Sequence, residues 1–347
     1  MLSHVRVVLS TVVVVFALSL AKVSASPLSD AIAWWQPPQA FLCHIPTVDF
    51  PSKYSQTDPL HCDDGDMTLF NGMICVSGDQ RGCDGVRLAQ GADGRWWRSP
   101  RRIGWTYPTY DVSFSPDQAL GVMLYTAKSK NKAAFDRWAK WMADNRPCLV
   151  EIGGKCIQHG WLRYCTDDIP DKRCTLRPDD CTYFKATGTY LGSSEANLCE
   201  SVLDELPSAI APFPKAAILS VPTQVCASAV VNQVGFPLHL AAVGLLLART
   251  LDIKDPLLDD AGQTLAARQD QNPFFQYLSP GATTLCPNVG LSPSPKPDVV
   301  TELLKLCPNP KRPSAGRNQW SWERDQTSNA WLDSMYWDCI FLGNLLP

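Results

Sequence analysis

Residues 115–129 read SPDQALGVMLYTAKS, and residues 132–144 read KAAFDRWAKWMAD. Ser115 suits the N-cap of a helix, Pro116 suits its first turn, and Gln118 completes a capping-box pattern. Apolar side chains then recur at helical spacing in both segments. Because the connection between them is short, the two segments predict an αα-hairpin.

The same helical pattern recurs along the chain. It predicts helices at Asp66–Val76, Arg81–Gln90, Glu195–Glu205, Thr223–Gln233, Leu238–Thr250, Pro256–Arg268, Asp298–Leu306 and Ser328–Leu346. Alternating strand patterns are scarce. Repeated helical hairpins predict a mainly α fold, an α/α toroid with extensive loops. A solenoid of helical pairs is the alternative, but no fixed sequence period supports it.

The N-terminus has the features of a cleavable signal peptide. Arg6 precedes the apolar run Val7–Ala21, and small residues lead up to Ala25. We therefore expect a signal peptide at residues 1–25 and a single toroid domain at residues 26–347. An uncleaved N-terminal anchor is the alternative, although the apolar run is short for a membrane span.

Cysteine usage agrees with export. All 14 cysteines follow the expected signal peptide, and an even number in an exported chain indicates disulfides of unknown connectivity. Five of them lie between Cys148 and Cys181, so residues 147–198 are expected to form a disulfide-stapled excursion with little periodicity. Zinc is the competing interpretation, but no Cys-x-x-Cys pair occurs. We expect a secreted or periplasmic protein with no metal and no cofactor.

Composition narrows the partners. The net charge of −3 gives no reason to expect a nucleic-acid partner, and no further apolar segment is long enough to predict membrane contact after signal cleavage. Twelve tryptophans are a heavy aromatic load, and exposed tryptophans in secreted proteins often bind flat ligands such as sugars.

Two acidic groups lie at predicted helix N-termini. Asp63, Asp64 and Asp66 precede one helix, and Asp117 lies in the first turn of another. In a toroid the inner helices run parallel, so these carboxylates would converge on one cleft. Two carboxylates are the minimum for glycoside hydrolysis, one as acid and one as base or nucleophile. The alternative is helix capping, or a weak calcium site, since aspartate favours helix N-termini.

Tryptophans and arginines lie between the two acidic groups. Trp96, Trp97 and Trp105 could stack on sugars, and Arg101 and Arg102 could bind hydroxyls or carboxylates. A surface loop with one or two buried tryptophans is the alternative.

A second cluster lies near the C-terminus. Trp320, Trp322 and Glu323 could line a sugar subsite, with Glu323 as a further carboxylate. The same segment could instead be a strap that closes the helical ring.

The stretch Ser113-Phe-Ser-Pro-Asp-Gln-Ala-Leu-Gly-Val-Met-Leu124 resembles the Ser-Glu-Gly-Gln-Ala-Tyr-Gly-Met segment of glycoside hydrolase family 8. The resemblance covers about ten residues and extends to the broad class of α/α-toroid carbohydrate-active enzymes. It implies a toroid in which the acidic residue opens an inner helix and acts as general acid. Alignment on Gln-Ala-x-Gly sets Pro116 at that position and Asp117 one residue later.

We therefore expect a secreted glycoside hydrolase that cleaves a polysaccharide, with Asp117 as general acid and Asp63, Asp64 or Asp66 as base. A polysaccharide lyase that uses a tyrosine or a histidine such as His61 or His159 as base, with Arg101 and Arg102 neutralising a uronate, is one alternative. A non-catalytic carbohydrate-binding or adhesion protein is another. The sequence has no Gly-x-Ser-x-Gly elbow, P-loop, dinucleotide fingerprint or His-Glu-x-x-His motif.

Overall fold

A computed structural model describes residues 26–106, 109, 112–166, 173–281, 284–287, 290–293, 298–307, 320–324 and 334–347. The expected signal peptide lies outside the described residues, as does the 328–333 part of the predicted closing helix.

The described part of the chain is mainly helical. Its α-helices are α1 (Pro27–Trp35), α2 (Met67–Val76), α3 (Gln80–Arg87), α4 (Pro116–Ser129), α5 (Lys132–Asp144), α6 (Pro178–Leu191), α7 (Leu198–Glu205), α8 (Val221–Val231), α9 (Phe236–Thr250), α10 (Pro256–Arg268), α11 (Pro273–Leu278), α12 (Val299–Leu306) and α13 (Trp337–Leu345). Short 3₁₀ turns occur at Pro100–Arg102, Ser194–Asn197, Lys215–Ala217 and Ser321–Glu323.

Strands are few and form antiparallel pairs. They are β1 (Leu42–Ile45) with β2 (Val48–Pro51), β3 (Lys53–Tyr54) with β4 (Cys62–Asp63), and β5 (Cys148–Ile152) with β6 (Lys155–His159). Long loops connect the remaining elements, as the proline and glycine content leads one to expect.

The predicted hairpin at residues 115–144 is confirmed. Ser115 is the N-cap of α4 and Pro116 is its first residue. The predicted capping box does not form, because the Ser115 side chain makes no capping bond and instead hydrogen-bonds the Asp117 carboxyl group. The hairpin therefore begins as expected, but Ser115 contacts a carboxylate rather than the helix backbone.

Residues 147–198, the expected disulfide-stapled excursion, contain regular elements that the sequence analysis did not predict. This segment contains the two-stranded hairpin β5–β6 and the helix α6, which packs against α4 and α8. The buried positions of α6 include polar residues such as Asp180, Thr182 and Thr187 beside apolar ones. Polar residues on the buried side hide the usual apolar stripe of a helix from sequence inspection.

The helices share one large core. Helix α2 contacts α3, α4 and α13, helix α4 contacts α6 and α9, and helix α8 contacts α6, α9 and α10. Ten of the eleven residues from Leu238 to Ala248 in α9 are buried, so the middle turns of this helix have almost no side that faces solvent. Aromatic rings fill the core between helices, for example Phe135 against Phe184 with ring centroids 4.7 Å apart.

Two glycines allow α2 and α4 to pack closely. A Cβ added at Gly121 would lie 2.1 Å from the Thr68 carbonyl oxygen, and one added at Gly72 would lie 2.3 Å from the Gly121 carbonyl oxygen. Both contacts are to backbone atoms, so neither can be relieved by a side-chain rotation. The spacing of the two helices, which carry Asp66 and Asp117 at their N-termini, therefore depends on these glycines.

We expect Gly121→Ala to lower the free energy of unfolding by about 2 kcal/mol or more, because overpacking forces the backbones apart. Urea denaturation of the oxidised protein measures this change. The matched control is Gly65→Ala, whose added Cβ would meet the flexible Arg102 guanidinium at 3.6 Å. Equal stabilities of the two variants would contradict the close-packing argument.

The expected disulfides are confirmed. The fourteen cysteines pair in the order in which they occur along the sequence, the first with the second, the third with the fourth and so on, giving 43–62, 75–83, 148–156, 165–174, 181–199, 226–286 and 307–339. Disulfides in this number are typical of proteins that fold in an oxidising compartment. None of the helices in the described residues is long and apolar enough to cross a membrane.

Candidate active site

An open cavity of about 580 Å³ lies where several helices begin. We call it the acidic cleft, and its lining includes Asp66, Asp117, Phe236, Glu323 and Arg324. Asp66 is the N-cap residue of α2, Asp117 lies in the first turn of α4, and Phe236 is the first residue of α9. The partial positive charge of helix N-termini stabilises carboxylates placed there.

The start of α9 is shaped by a glycine. Gly235 is the N-cap residue of this helix, and its φ of +103° lies in the region that L side chains rarely adopt. This conformation turns the chain so that Phe236 faces the cleft, where 39% of its surface stays exposed.

The carboxyl group of Glu323 is altered in its titration by its surroundings. Burial raises its pKa to about 7, and the nearby negative charge of Asp66 acts in the same direction. The positive charge of Lys53 opposes this shift. A carboxyl group with this pKa is half protonated near neutral pH and can donate a proton there.

Burial also raises the pKa of Asp117, and the charge of Asp66 adds to this effect. The hydrogen bond from Ser115 and the positive charge of Arg98 oppose it. Asp117 is therefore a more basic carboxylate than an exposed aspartate would be.

Two cations hold the third carboxylate of the cleft. Lys53 Nζ lies 3.1 Å from Asp66 Oδ2, and Arg98 Nη1 lies 3.4 Å from Asp66 Oδ1. Both cationic side chains are largely buried, with 12% and 11% of their surfaces exposed. Asp66 is therefore the carboxylate of the cleft that these two cations contact directly.

Residues 320–324, which we call the Glu323 strap, are held by hydrogen bonds to their backbone. Asn272 Nδ2 donates to the Trp322 carbonyl oxygen at 3.1 Å, and Gln269 Nε2 donates to the Arg324 carbonyl oxygen at 2.6 Å. The Ser321 amide donates to Asp338 Oδ2 at 2.7 Å. These bonds fix the backbone on both sides of Glu323.

Three of the predicted sugar-binding tryptophans lie in the core. Trp96, Trp320 and Trp322 are at most 2% exposed, so they present no face to a ligand. The Trp96 indole N–H donates to the Val86 carbonyl oxygen at 2.8 Å, and Trp320 stacks on Phe70 with ring centroids 4.7 Å apart. Trp320 and Trp322 therefore fit the alternative interpretation, that they belong to a strap, better than a sugar subsite.

The other two predicted tryptophans lie under arginine side chains. The Arg95 guanidinium lies 4.0 Å from the ring centroid of Trp97, and the Arg102 guanidinium lies 4.9 Å from that of Trp105. Neither tryptophan lines the acidic cleft.

Asp64, Arg101 and Arg102 form a buried ion cluster instead of a catalytic group. Arg101 Nη2 lies 2.7 Å from Asp64 Oδ1, and Arg102 Nη2 lies 3.1 Å from the same oxygen. Arg101 also pairs with Asp58 at 2.8 Å. Because the Asp64 side chain is fully buried and surrounded by donors, it has no free face for a substrate. Its place next to Asp66 in the sequence therefore does not bring it into the cleft.

The remaining predicted residues lie outside the cleft lining. Asp63 pairs with Lys53 at 3.5 Å, so it contributes to the electrostatics of the cleft from a distance. His61 is exposed, with Nδ1 3.1 Å from the Ser55 carbonyl oxygen, and His159 is exposed on β6. Since both arginines of the lyase hypothesis bind Asp64, no described contact brings a histidine base and an arginine together in the cleft.

Sequence reasoning did not identify Lys53, and it did not select Arg98 or Phe236 as site residues. Lys53 lies on the two-residue strand β3, 13 positions before its partner Asp66, and no local sequence pattern predicts this ion pair. The sequence did contain a cue for Phe236. Gly235 precedes it and Pro237 follows it, and this combination marks a sharp turn before a helix.

The pKa of Glu323 has a consequence for stability. Between the usual glutamate value of 4.5 and about 7, the folded protein holds a proton that the unfolded chain releases. Wild-type stability therefore falls as the pH rises through this range. We expect Glu323→Gln to match the wild type below this window and to be more stable by about 3 kcal/mol above it.

Thermal or urea unfolding of both proteins at pH values across the window measures this difference. The control is Glu151→Gln, an exposed glutamate on β5, whose difference from the wild type should not change with pH. A pH-independent difference for Glu323→Gln would show that its carboxyl group titrates normally.

In the described residues no group of three histidine, cysteine, aspartate or glutamate side chains is placed to hold a metal ion. No protein-family model matches the sequence, and neither a curated protein nor a solved structure is detectably similar to the chain.

Proposed function

We propose that this chain is a secreted glycoside hydrolase that cleaves a polysaccharide. The observation that carries the proposal is the acidic cleft, in which Asp66, Asp117 and Glu323 line one open cavity and the pKa of Glu323 is about 7. Hydrolysis of a glycosidic bond needs one carboxylic acid that protonates the leaving oxygen and one carboxylate that activates water or attacks the sugar.

The environments of the three carboxyl groups support distinct roles. Glu323 acts as general acid, because it is protonated in about half of the molecules near neutral pH. Asp117 acts as the base, a change from the general-acid role expected from sequence. Asp66 is a positioning residue, since its charge, held by Lys53 and Arg98, raises the pKa of both other groups.

An α/α toroid is part of this proposal. Two observations support it: helices α2, α4, α6 and α8 contact one another in succession, and the N-terminal ends of α2, α4 and α6 border two adjoining cavities. The proposal includes secretion after cleavage of residues 1–25, and the seven disulfides support it because such bonds form in oxidising compartments.

The test is a screen of the oxidised protein, residues 26–347, against neutral and acidic polysaccharides. Reducing ends and unsaturated uronate are read together. New reducing ends without the unsaturated chromophore support hydrolysis. Both signals together would identify a lyase, and binding without either signal would identify a carbohydrate-binding protein.

A further inference from the structure

A second cavity of about 410 Å³ adjoins the acidic cleft. The two cavities share Asp117 and Phe236 in their linings, so they meet at the start of α4 and α9. The second cavity continues between α6, α8 and α9, and it is more enclosed than the acidic cleft. A ligand that passes over Asp117 can therefore occupy both cavities.

The lining of the second cavity combines hydrogen-bonding groups with apolar surface. Arg177 and Gln224 supply donors, Asp179 supplies an acceptor, and Leu240 lies on the apolar side. A pyranose ring has the same combination, because its hydroxyl groups lie around the edge and its C–H groups form an apolar face. The exposed ring of Phe236 at the junction offers a flat surface for such a face.

We infer that the second cavity is an additional sugar-binding site for the same neutral glycan chain, and that the chain lies across Asp117 with the reacting bond in the acidic cleft. This inference rests on the proposed function. The carboxylates of Asp66, Asp117 and Asp179 along the path disfavour a chain of uronates, since like charges repel in a partly buried site. A substrate that fills both cavities should bind more tightly than a disaccharide, which is too short to occupy both.

Ala227 permits a selective test. It lies on α8, is exposed, and lines only the second cavity, so Ala227→Trp would fill that cavity without contacting the acidic cleft. The matched control is Ala133→Trp, at an exposed position of α5 that lines neither cavity. The probes are cello-, xylo- and manno-oligosaccharides of two to six units, and the measured quantity is the ratio of kcat/KM for the longest and the shortest oligosaccharide.

We expect Ala227→Trp to lower this ratio about tenfold or more, which corresponds to about 1.4 kcal/mol of lost binding, while Ala133→Trp keeps the wild-type ratio. If the thermal midpoint of Ala227→Trp shows that it is not folded, Gln224→Ala carries the same test. If the wild type hydrolyses the oligosaccharides but neither Ala227→Trp nor Gln224→Ala lowers the ratio, the second sugar-binding site is overturned and the proposed function is not. Hydrolysis of acidic polysaccharides alone in the screen would likewise overturn this neutral-glycan site and leave the proposed function standing, whereas no hydrolysis anywhere in the screen would overturn both.

Discussion

Glu323→Gln should lower kcat for polysaccharide hydrolysis by a factor of about 10² to 10⁴, the usual contribution of a positioned general acid. Glutamine keeps the shape of the side chain but cannot give a proton to the leaving oxygen. The backbone of the Glu323 strap is held by Asn272, Gln269 and Asp338, so the substitution should leave the position of residue 323 unchanged.

The measurement is the release of reducing ends by wild type, Glu323→Gln and the exposed control Glu151→Gln. The wild-type kcat/KM should also fall above about pH 7, where Glu323 loses its proton. This alkaline limb should be absent from the residual activity of Glu323→Gln. A variant with wild-type kcat and an unchanged pH profile would remove Glu323 from the catalytic assignment and leave Asp117, whose pKa is also raised, as the candidate acid.

Asp64→Asn should lower the free energy of unfolding by about 3–5 kcal/mol, because it leaves two buried arginines without their shared carboxylate. Burial alone would raise the pKa of Asp64, but hydrogen bonds from Arg101 and the charge of Arg102 outweigh it and hold the pKa below its usual value. The stability supplied by this ion cluster is thus present at neutral pH and is lost as the pH falls through the lowered pKa.

Urea denaturation at neutral and at acidic pH measures this effect. The matched control is Asp144→Asn, which breaks an exposed pair with Lys140 and should change stability by less than about 1 kcal/mol. The gap between wild type and Asp64→Asn should narrow in acid. A loss no larger than that of the control would contradict the structural role of the buried cluster.

Local sequence cues were sufficient for the elements that present the carboxylates. Ser115 and Pro116 mark the start of α4, and Asp66 marks the start of α2, because capping and first-turn preferences act within a few residues. Helix α6 was missed because its buried side carries Asp180, Thr182 and Thr187 beside apolar residues, and these polar residues interrupt the apolar stripe by which a helix is recognised in a sequence.

Burial and pairing over long separations could not be predicted. Asp64 and Asp66 are two residues apart, yet one is fully buried by Arg101 and Arg102 and the other borders a cleft. Nothing in the spacing of the aspartates distinguishes them, since the distinction depends on arginines more than thirty positions away. The same limit applies to the tryptophans, because a flat ring suits a core and a sugar site equally well.

The pairing of neighbouring cysteines has a consequence for how the chain matures. No disulfide loop encloses or interleaves with another, since 43 joins 62, 75 joins 83, and the order continues to 307 with 339. An enzyme that oxidises thiols in the order in which they emerge from a translocation pore would form all seven native bonds directly. Reshuffling by a disulfide isomerase would have no mispaired cysteines to correct.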